Sequence, residues 1–313
     1  MRETPVERWT IDGASLLVKR DDLSAAALGG NKVRALELLL AGVGPEHTLL
    51  TVGPAGSTHA LAVAQYGARL GARTHVIAWP QEMHEVAWAT AARLPRHARV
   101  THARSPIDAY LRAGLWRVFG NVRWIPAGGS VPLGAIGHVN AAMELVAQLK
   151  RDGTAMPSTI VAPLGSGGTV AGLLVGLAIA GVSTRVVGVQ VVARIVANRR
   201  RVLSLAQRTR KLLAGLANQQ LPELDTSRLE IDTSAYGGAY GRETPVARHV
   251  AERLRAAGGP RLDGTYSAKA FACACEIARA VGDERVLFWL TFDGRWIDAG
   301  DADPEANVEM NDA

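Results

Sequence analysis

The sequence predicts an α/β fold: a mainly parallel sheet with helices on both faces. Short β-rich runs alternate with Ala/Leu-rich segments at helical spacing through most of the chain, the pattern of parallel strands joined by crossover helices. The β-rich runs are apolar almost throughout, as strands covered on both faces require. Glycine and proline loops at 53–56, 128–134 and 163–168 follow strands directly, and open parallel sheets bind ligands beyond the C-terminal ends of their strands.

The predicted strands are TLLTV (48–52), THVIAW (74–79), VRWIPA (122–127), STIVAPL (158–164), TRVVGVQVV (184–192) and RVLFWLT (285–291). The predicted helices span 59–70, 83–94, 135–150, 169–180, 193–216, 244–257 and 267–281, with a further helix opening at Lys32. Asn31 is read as its N-cap. The tail after Ile297 is acidic, has few apolar residues and is expected to fray.

At 313 residues the chain suggests about two domains. Hydrophobic residues make up 48% and charged residues 20%, values of an ordinary globular protein rather than a disordered or membrane one. No apolar run reaches the ~18 residues of a membrane span, and MRETPVERWT shows no signal-peptide pattern. The two cysteines, Cys273 and Cys275, are two apart and form neither a disulfide framework nor a metal motif, so a cytoplasmic location is expected. The histidines show no metal spacing. The net charge is +6, and residues 193–213 carry seven basic side chains and no acid. Without a nucleic-acid motif or interleaved aromatics, this stretch reads as a solvated helix face with Ile195, Val196, Leu203, Leu205, Leu212 and Leu213 turned inward, and no nucleic-acid partner is expected.

Two segments suggest chemistry. In PLGSGGTVAGLLVGL (163–177), Gly165, Ser166, Gly167, Gly168 and Thr169 form a tight turn between a strand and a helix. Such a turn lets backbone N–H groups and the positive helix end close on an anion. It is neither a P-loop, which needs Gly-Lys-Ser/Thr, nor a complete G-x-G-x-x-G, because Val170 stands at the last glycine. In VKRDDLSAAALGGNKVRALELLL (18–40), Lys32 lies in the first turn of a helix, where the dipole disfavours a cation. That position suits either a tolerated surface lysine or an amine with a lowered pKa, as Schiff-base chemistry needs.

The segment KRDDL…GGNKVRALE resembles the lysine motif of the 1-aminocyclopropane-1-carboxylate deaminase / D-cysteine desulfhydrase family, which depends on pyridoxal 5′-phosphate (PLP) and has fold type II. Further segments agree in order: GPAGSTHALAVAQYGARLGA (53–72), IPAGGSVPLGAIGHVNAAMEL (125–145), the phosphate loop, GGAYGRETP (237–245) and LDGTYSAKA (262–270). The resemblance implies two doubly wound α/β domains with the cofactor in the cleft, a large one from residues 1–46 and 129–313 and a small one from 47–128. It implies that Lys32 carries the cofactor and shuttles the proton, and that Gly165, Ser166, Gly167, Gly168 and Thr169 hold the phosphate. Asn31 and Thr58 would also contact the cofactor. Ser57 would meet the substrate carboxylate or act as a nucleophile, and Tyr240 and Tyr266 would act as acid/base or orienting groups. A homodimer follows from the resemblance as well.

The chain departs from the family where substrate is chosen. The usual Gln-Ser-Asn reads Gly56, Ser57, Thr58, an arginine four residues after the serine is Leu61, and His-Thr-Gly-Gly reads Leu290, Thr291, Phe292, Asp293. The glutamate that deaminases place after the second tyrosine is Ser267. A hydroxyl, from Ser267 or Thr291, hydrogen-bonds a neutral pyridine nitrogen and leaves a weaker electron sink. The expected function is a PLP-dependent lyase or deaminase acting on a small amino acid, of the D series or carrying a β-substituent, by α-proton removal and β-elimination to a keto acid and ammonia. Two alternatives stay open: β-replacement or another biosynthetic reaction in a remodelled pocket, and a non-catalytic PLP-fold binding protein. His59 is read as either a neighbour of the cofactor or a structural side chain.

Overall fold

The computed structural model describes residues 3–26, 28–281 and 285–298. The acidic tail lies outside the described residues beyond Asp298. The elements in order are β1 (Val6–Ile11), β2 (Ala14–Arg20), α1 (Asn31–Leu39), β3 (Thr48–Pro54), α2 (Thr58–Arg69), β4 (Arg73–Trp79), α3 (Glu85–Arg93), β5 (Arg99–His102), α4 (Pro106–Phe119), β6 (Arg123–Trp124) and α5 (Pro132–Arg151). They continue with β7 (Thr159–Leu164), α6 (Gly168–Ile179), β8 (Arg185–Gln190), α7 (Arg199–Ala217), β9 (Leu229–Asp232), α8 (Pro245–Ala256), α9 (Ser267–Val281), β10 (Val286–Leu290) and α10 (Arg295–Asp298).

Two sheets result. The larger has the order β1-β2-β10-β7-β8-β9 and the smaller β5-β4-β3-β6. Every strand pair is parallel except β1 with β2, an antiparallel hairpin. Sequence periodicity missed that hairpin, although Asp12-Gly13, with φ of 45° and 75°, is a strong hairpin turn signal. It also missed β5, α4 and β9. β1, β5 and β9 are edge strands and α4 is largely exposed, so burial leaves a weak hydrophobic signature there; β2 lies inside the sheet but offers only the short apolar run 16–18.

The large sheet is buried on both sides because successive residues of one strand point to opposite faces. Ile160, Ala162, Leu287 and Trp289 pack towards α5, α6 and α7, while Val161, Phe288 and Leu290 pack towards α8 and α9. The helix that carries Lys32 belongs to both halves of the molecule. Its apolar residues Ala35, Leu36 and Leu39 pack with Leu49, Val63 and Ile125 of the smaller sheet and its helix. Its Arg34 is tied to the larger sheet: the guanidinium donates to Asp21 at 2.6 Å and to Glu144 at 2.9 Å. Lys19 donates to Glu144 at 2.6 Å, and Trp289 Nε1 donates to Asp21 at 2.7 Å. Burial works against the Glu144 charge, but hydrogen bonds from Arg34 and Lys19 outweigh it and hold its pKa at about 2. Every member of the network has a partner, the condition under which buried charges are tolerated.

Two expectations are corrected. Asn31 is the first helical residue and not the cap: Gly30 occupies the N-cap position, and the Asn31 amide donates instead to Thr169 Oγ1 at 2.9 Å. The basic helix starts at Arg199, capped by Asn198, rather than at 193. Ile195 and Val196 therefore lie in a turn and are 78% and 38% exposed, while Val202, Leu205, Ala206 and Thr209 form the buried face.

Candidate active site

The loops after β3, β4, β6, β7, β8 and β10 converge on a cavity of about 810 Å³ between the two sheets. This is the strand-end position expected for a ligand in an open parallel sheet. Lys32, Ser57, Thr58, Tyr240, Tyr266, Asn31, Thr291 and the whole 165–169 loop line it, so residues far apart in sequence meet in one chamber.

Lys32 is held by a clamp. Gly30 has φ of +103°, and a Cβ there would stand 2.3 Å from the Thr291 carbonyl oxygen, so only glycine lets the loop press against the end of β10. Asn31 N–H donates to that same carbonyl at 3.1 Å, and Gly29 N–H donates to Asp293 Oδ2 at 2.9 Å. Among the described residues the Lys32 ammonium makes no hydrogen bond or ion pair. It faces the Tyr266 ring, with Nζ 5.9 Å from the centroid. Its remaining exposed surface faces the cavity. Burial lowers its pKa to about 8, while the Asp263 carboxylate pulls weakly the other way. An enclosed, unpaired amine with its pKa lowered to about 8 is unlike a surface lysine and suited to a nucleophile.

The glycine-rich 165–169 turn is set by its backbone and a hydroxyl pair. Gly167 adopts a left-handed φ of +94° and caps α6. Ser130 Oγ lies 2.6 Å from Ser166 Oγ and accepts the Gly168 N–H at 3.1 Å. The ring of Tyr266 packs on Gly165. Tyr266 Oη and Tyr240 Oη are 2.9 Å apart, with their rings edge to face. Burial raises the Tyr240 pKa to about 12 and that of Tyr266 well above its ordinary value, so both phenols are neutral donors at physiological pH.

Ser57 caps α2, accepting the Ala60 N–H at 3.2 Å. Beside it Gly56 has φ of +78°, and a Cβ there would stand 2.5 Å from the Ala87 carbonyl oxygen. The absence of a side chain at 56 is thus enforced by α3 packing against the loop. His59 is buried on the cavity wall, and burial, aided by the Lys32 charge, lowers its pKa to about 3. It is a neutral ring there, with neither nitrogen hydrogen-bonded among the described residues.

Of the two hydroxyls considered for the pyridine nitrogen, only Thr291 lies on the cavity wall. Ser267 is fully buried in the first turn of α9, its N–H donates to Asp263 Oδ2 at 3.0 Å, and its Oγ has no partner among the described residues. It stands behind the wall because Asp263 takes the helix start: this carboxylate also accepts the Tyr266 N–H at 2.7 Å and itself lines the cavity. Sequence reasoning missed Asp263, although an acid three residues before Tyr266 is a recognisable capping signal. It also missed Ser130, Trp79, Tyr110 and Arg201 on the same wall. Among the described residues no three His, Cys, Asp or Glu side chains are placed to hold a metal ion, and no helix is long and apolar enough to cross a membrane.

The family model described as "Pyridoxal-phosphate dependent enzyme" matches residues 1–291. The chain belongs to the pyridoxal-phosphate-dependent enzyme family. It is 34% identical over 304 residues to nocardicin C-9′ epimerase of Nocardia uniformis subsp. tsuyamanensis, covering 92% of this chain and 90% of the relative. It is 31% identical over 274 residues to D-cysteine desulfhydrase of Salmonella choleraesuis, covering 83% and 80%. The crystal structure of an ACC deaminase homologue superimposes with a TM-score of 0.76 at 26% identity, over 94% of this chain and 90% of the other. These likenesses bear out the family and fold type II read from the motifs.

The cavity fits the cofactor that the family binds. An unpartnered buried amine can take its aldehyde, the Ser166–Thr169 turn at the α6 N-terminus can take its phosphate, and the Thr291 hydroxyl offers a partner for its ring nitrogen.

Proposed function

We propose that the chain is a PLP-dependent lyase or deaminase acting on an amino acid, with Lys32 as attachment point and α-proton acceptor. The observation that carries this reading is the Lys32 amine: enclosed, unpaired, lowered to about pKa 8, and in one chamber with the phosphate loop. The bound cofactor supplies an electron sink for the carbanion left when the α-proton departs. Lys32 Nζ takes that proton. The Ser57 hydroxyl and the Thr58 N–H at the start of α2 receive the substrate carboxylate. The neutral Tyr240–Tyr266 pair donates to the leaving group or the product carbon. The β-substituent departs with its electron pair, and the released unsaturated amino acid hydrolyses to a keto acid and ammonia. Asn31 holds Thr169 in place, and Thr58, which lines the cavity beside Ser57, would contact the cofactor. Residues 47–128 would form the small domain, carrying Ser57 against Lys32. A homodimer would cover the exposed apolar side chains Ile107, Leu111, Leu115 and Phe119 of α4. The buried free thiols Cys273 and Cys275 suit the reducing cytoplasm.

The test is a side-by-side steady-state assay of 1-aminocyclopropane-1-carboxylate, both enantiomers of cysteine, and β-chloroalanine. The reading expects the highest kcat/KM on a β-substituted alanine, because Thr291 leaves the ring nitrogen neutral and weakens the sink. The highest value on the cyclopropane substrate would refute it. The epimerase relative at 34% identity favours a second reading, in which the α-proton returns to the opposite face. Solvent deuterium at Cα with inversion and without keto acid would select it.

A further inference from the structure

The cavity is larger than the reaction so far described requires. At about 810 Å³ it is near the top of the range that holds a drug-sized ligand (~300–1,000 Å³), which leaves space beyond a cofactor and a three-carbon amino acid. Its wall continues past the 165–169 turn into residues that this chemistry does not use: Trp79 at the end of β4, Tyr110 of α4, Val196 in the turn before α7, and Arg201 in the first turn of α7.

These residues form a coherent surface. Trp79 and Tyr110 have ring centroids 6.3 Å apart and planes tilted by 33°, and Tyr110 meets Trp124 edge to face at 6.3 Å. Across the cleft, Arg201 is close enough to Tyr110 for its charge to act on the phenol. The only hydrogen bond the Arg201 side chain makes among the described residues is from Nη1 to the Ile195 carbonyl, at 3.2 Å. Two other arginines of the helix are anchored away from the cavity. Arg199 donates to the carbonyls of Leu229 and Thr226, and Arg210 pairs with Glu223 at 2.7 Å. Arg201 therefore presents a guanidinium without a carboxylate partner among the described residues, on the wall of the same cavity as Trp79 and Tyr110, a combination suited to a flat apolar group ending in an anion.

We propose that Trp79, Tyr110 and Arg201 form a side-chain subsite, so that the substrate is an amino acid bearing an extended aromatic or flat apolar arm that ends in a carboxylate or similar anion. This rests on the amino-acid reading above and specifies the far end of the same molecule. The other anion available to Arg201 is the phosphate of the cofactor itself, since Val202 packs beneath Gly167, and the test separates the two.

The experiment titrates the cofactor-loaded protein with the D and L forms of alanine, phenylalanine and 4-carboxyphenylalanine, following the cofactor absorbance, with calorimetry in parallel. Affinity should rise from alanine to phenylalanine and again, about tenfold, to 4-carboxyphenylalanine in one enantiomeric series. Arg201→Gln should erase the second step alone, Tyr110→Ala should shrink the first, and Arg200→Gln should change neither. The cofactor dissociation constant should be the same in Arg201→Gln as in the parent. Equal affinity for all three amino acids would overturn the subsite. So would an Arg201→Gln variant that loses cofactor rather than the second step. If no amino acid perturbs the spectrum of the loaded protein, the amino-acid reading fails first and the subsite with it, a result distinct from either of these.

Discussion

Replacing Gly167 by valine tests how the phosphate loop works. The residue has φ of +94° and ψ of −4°, a conformation that costs a non-glycine residue about 1–3 kcal/mol, with a β-branched side chain towards the upper end. A Cβ at 167 would stand 3.3 Å from Val202 Cγ2, so the γ-methyl groups add a collision. In the cofactor-free protein the turn relieves this by rotating its peptides away. Binding must restore the original turn to aim the Ser166 and Gly167 N–H groups at the phosphate, so the strain reappears in the dissociation constant. About 2–3 kcal/mol corresponds to ~30- to 150-fold weaker PLP binding. The assay is a fluorescence titration of cofactor-free protein with PLP, alongside a thermal melt. Gly181→Val is the control: φ is +69°, nothing lies within 4 Å of its Cβ, and it sits at the far end of α6. It should lower the melting temperature and leave PLP affinity alone. Ser166→Ala, which removes one hydroxyl, should cost only about 0.5–1.5 kcal/mol. If Gly167→Val binds PLP as the parent does while Ser166→Ala loses more, the phosphate is not held by the backbone of this turn.

Three further outcomes follow. The rate at which cofactor-free protein couples PLP to Lys32 should rise through a midpoint near pH 8 and level off above it, because only the neutral amine attacks. A midpoint above pH 10 would show an ordinary, solvated lysine. Tyr240→Phe removes the 2.9 Å contact with Tyr266 and should cut kcat by ~10²–10⁴-fold with little change in melting temperature, if the pair moves a proton. A parent-like kcat would reduce the phenol to packing. His59 and His138 are buried and held neutral, each with a pKa of about 3 against 6.5 in the unfolded chain. The unfolded state therefore takes up protons first, and stability present above pH 6.5 should fall as pH drops from 6.5 towards 3, by up to ~1.4 kcal/mol per pH unit for each ring. Urea midpoints at pH 7.5 and 5.5 should show that loss diminished in His138→Gln. An equal loss in the variant would assign it to other groups.

The sequence was most informative where several residues must cooperate. Buried strands such as 158–164 and 285–291 are apolar on both faces, and the loops that follow them carry glycine. Parallel topology and the position of the chamber could therefore be read before any coordinates. Lys32, Ser57, Tyr240 and Tyr266 were legible only as an ordered set of motifs, and the structure brings them to one cavity. Short-range geometry was not legible. Whether Asn31 caps its own helix or reaches across to Thr169 depends on where the 163–169 turn lies in space. Ser267 and Thr291 are both hydroxyls near the right place in sequence, and only the Asp263 cap decides that Ser267 faces away. The run at 193–198 looked helical because its apolar spacing continues that of α7. The helix instead begins at the Asn198 cap, and that break turns Val196 towards the cavity mouth.

The most direct test of the account is the identity of the lysine that holds the cofactor. Borohydride reduction of the loaded protein, followed by proteolysis and mass spectrometry, should place the pyridoxyl group on Lys32 alone. Lys32→Ala should keep affinity through the phosphate loop but lose both the label and turnover. A label on Lys19, Lys150 or Lys269, or full turnover without Lys32, would contradict the account.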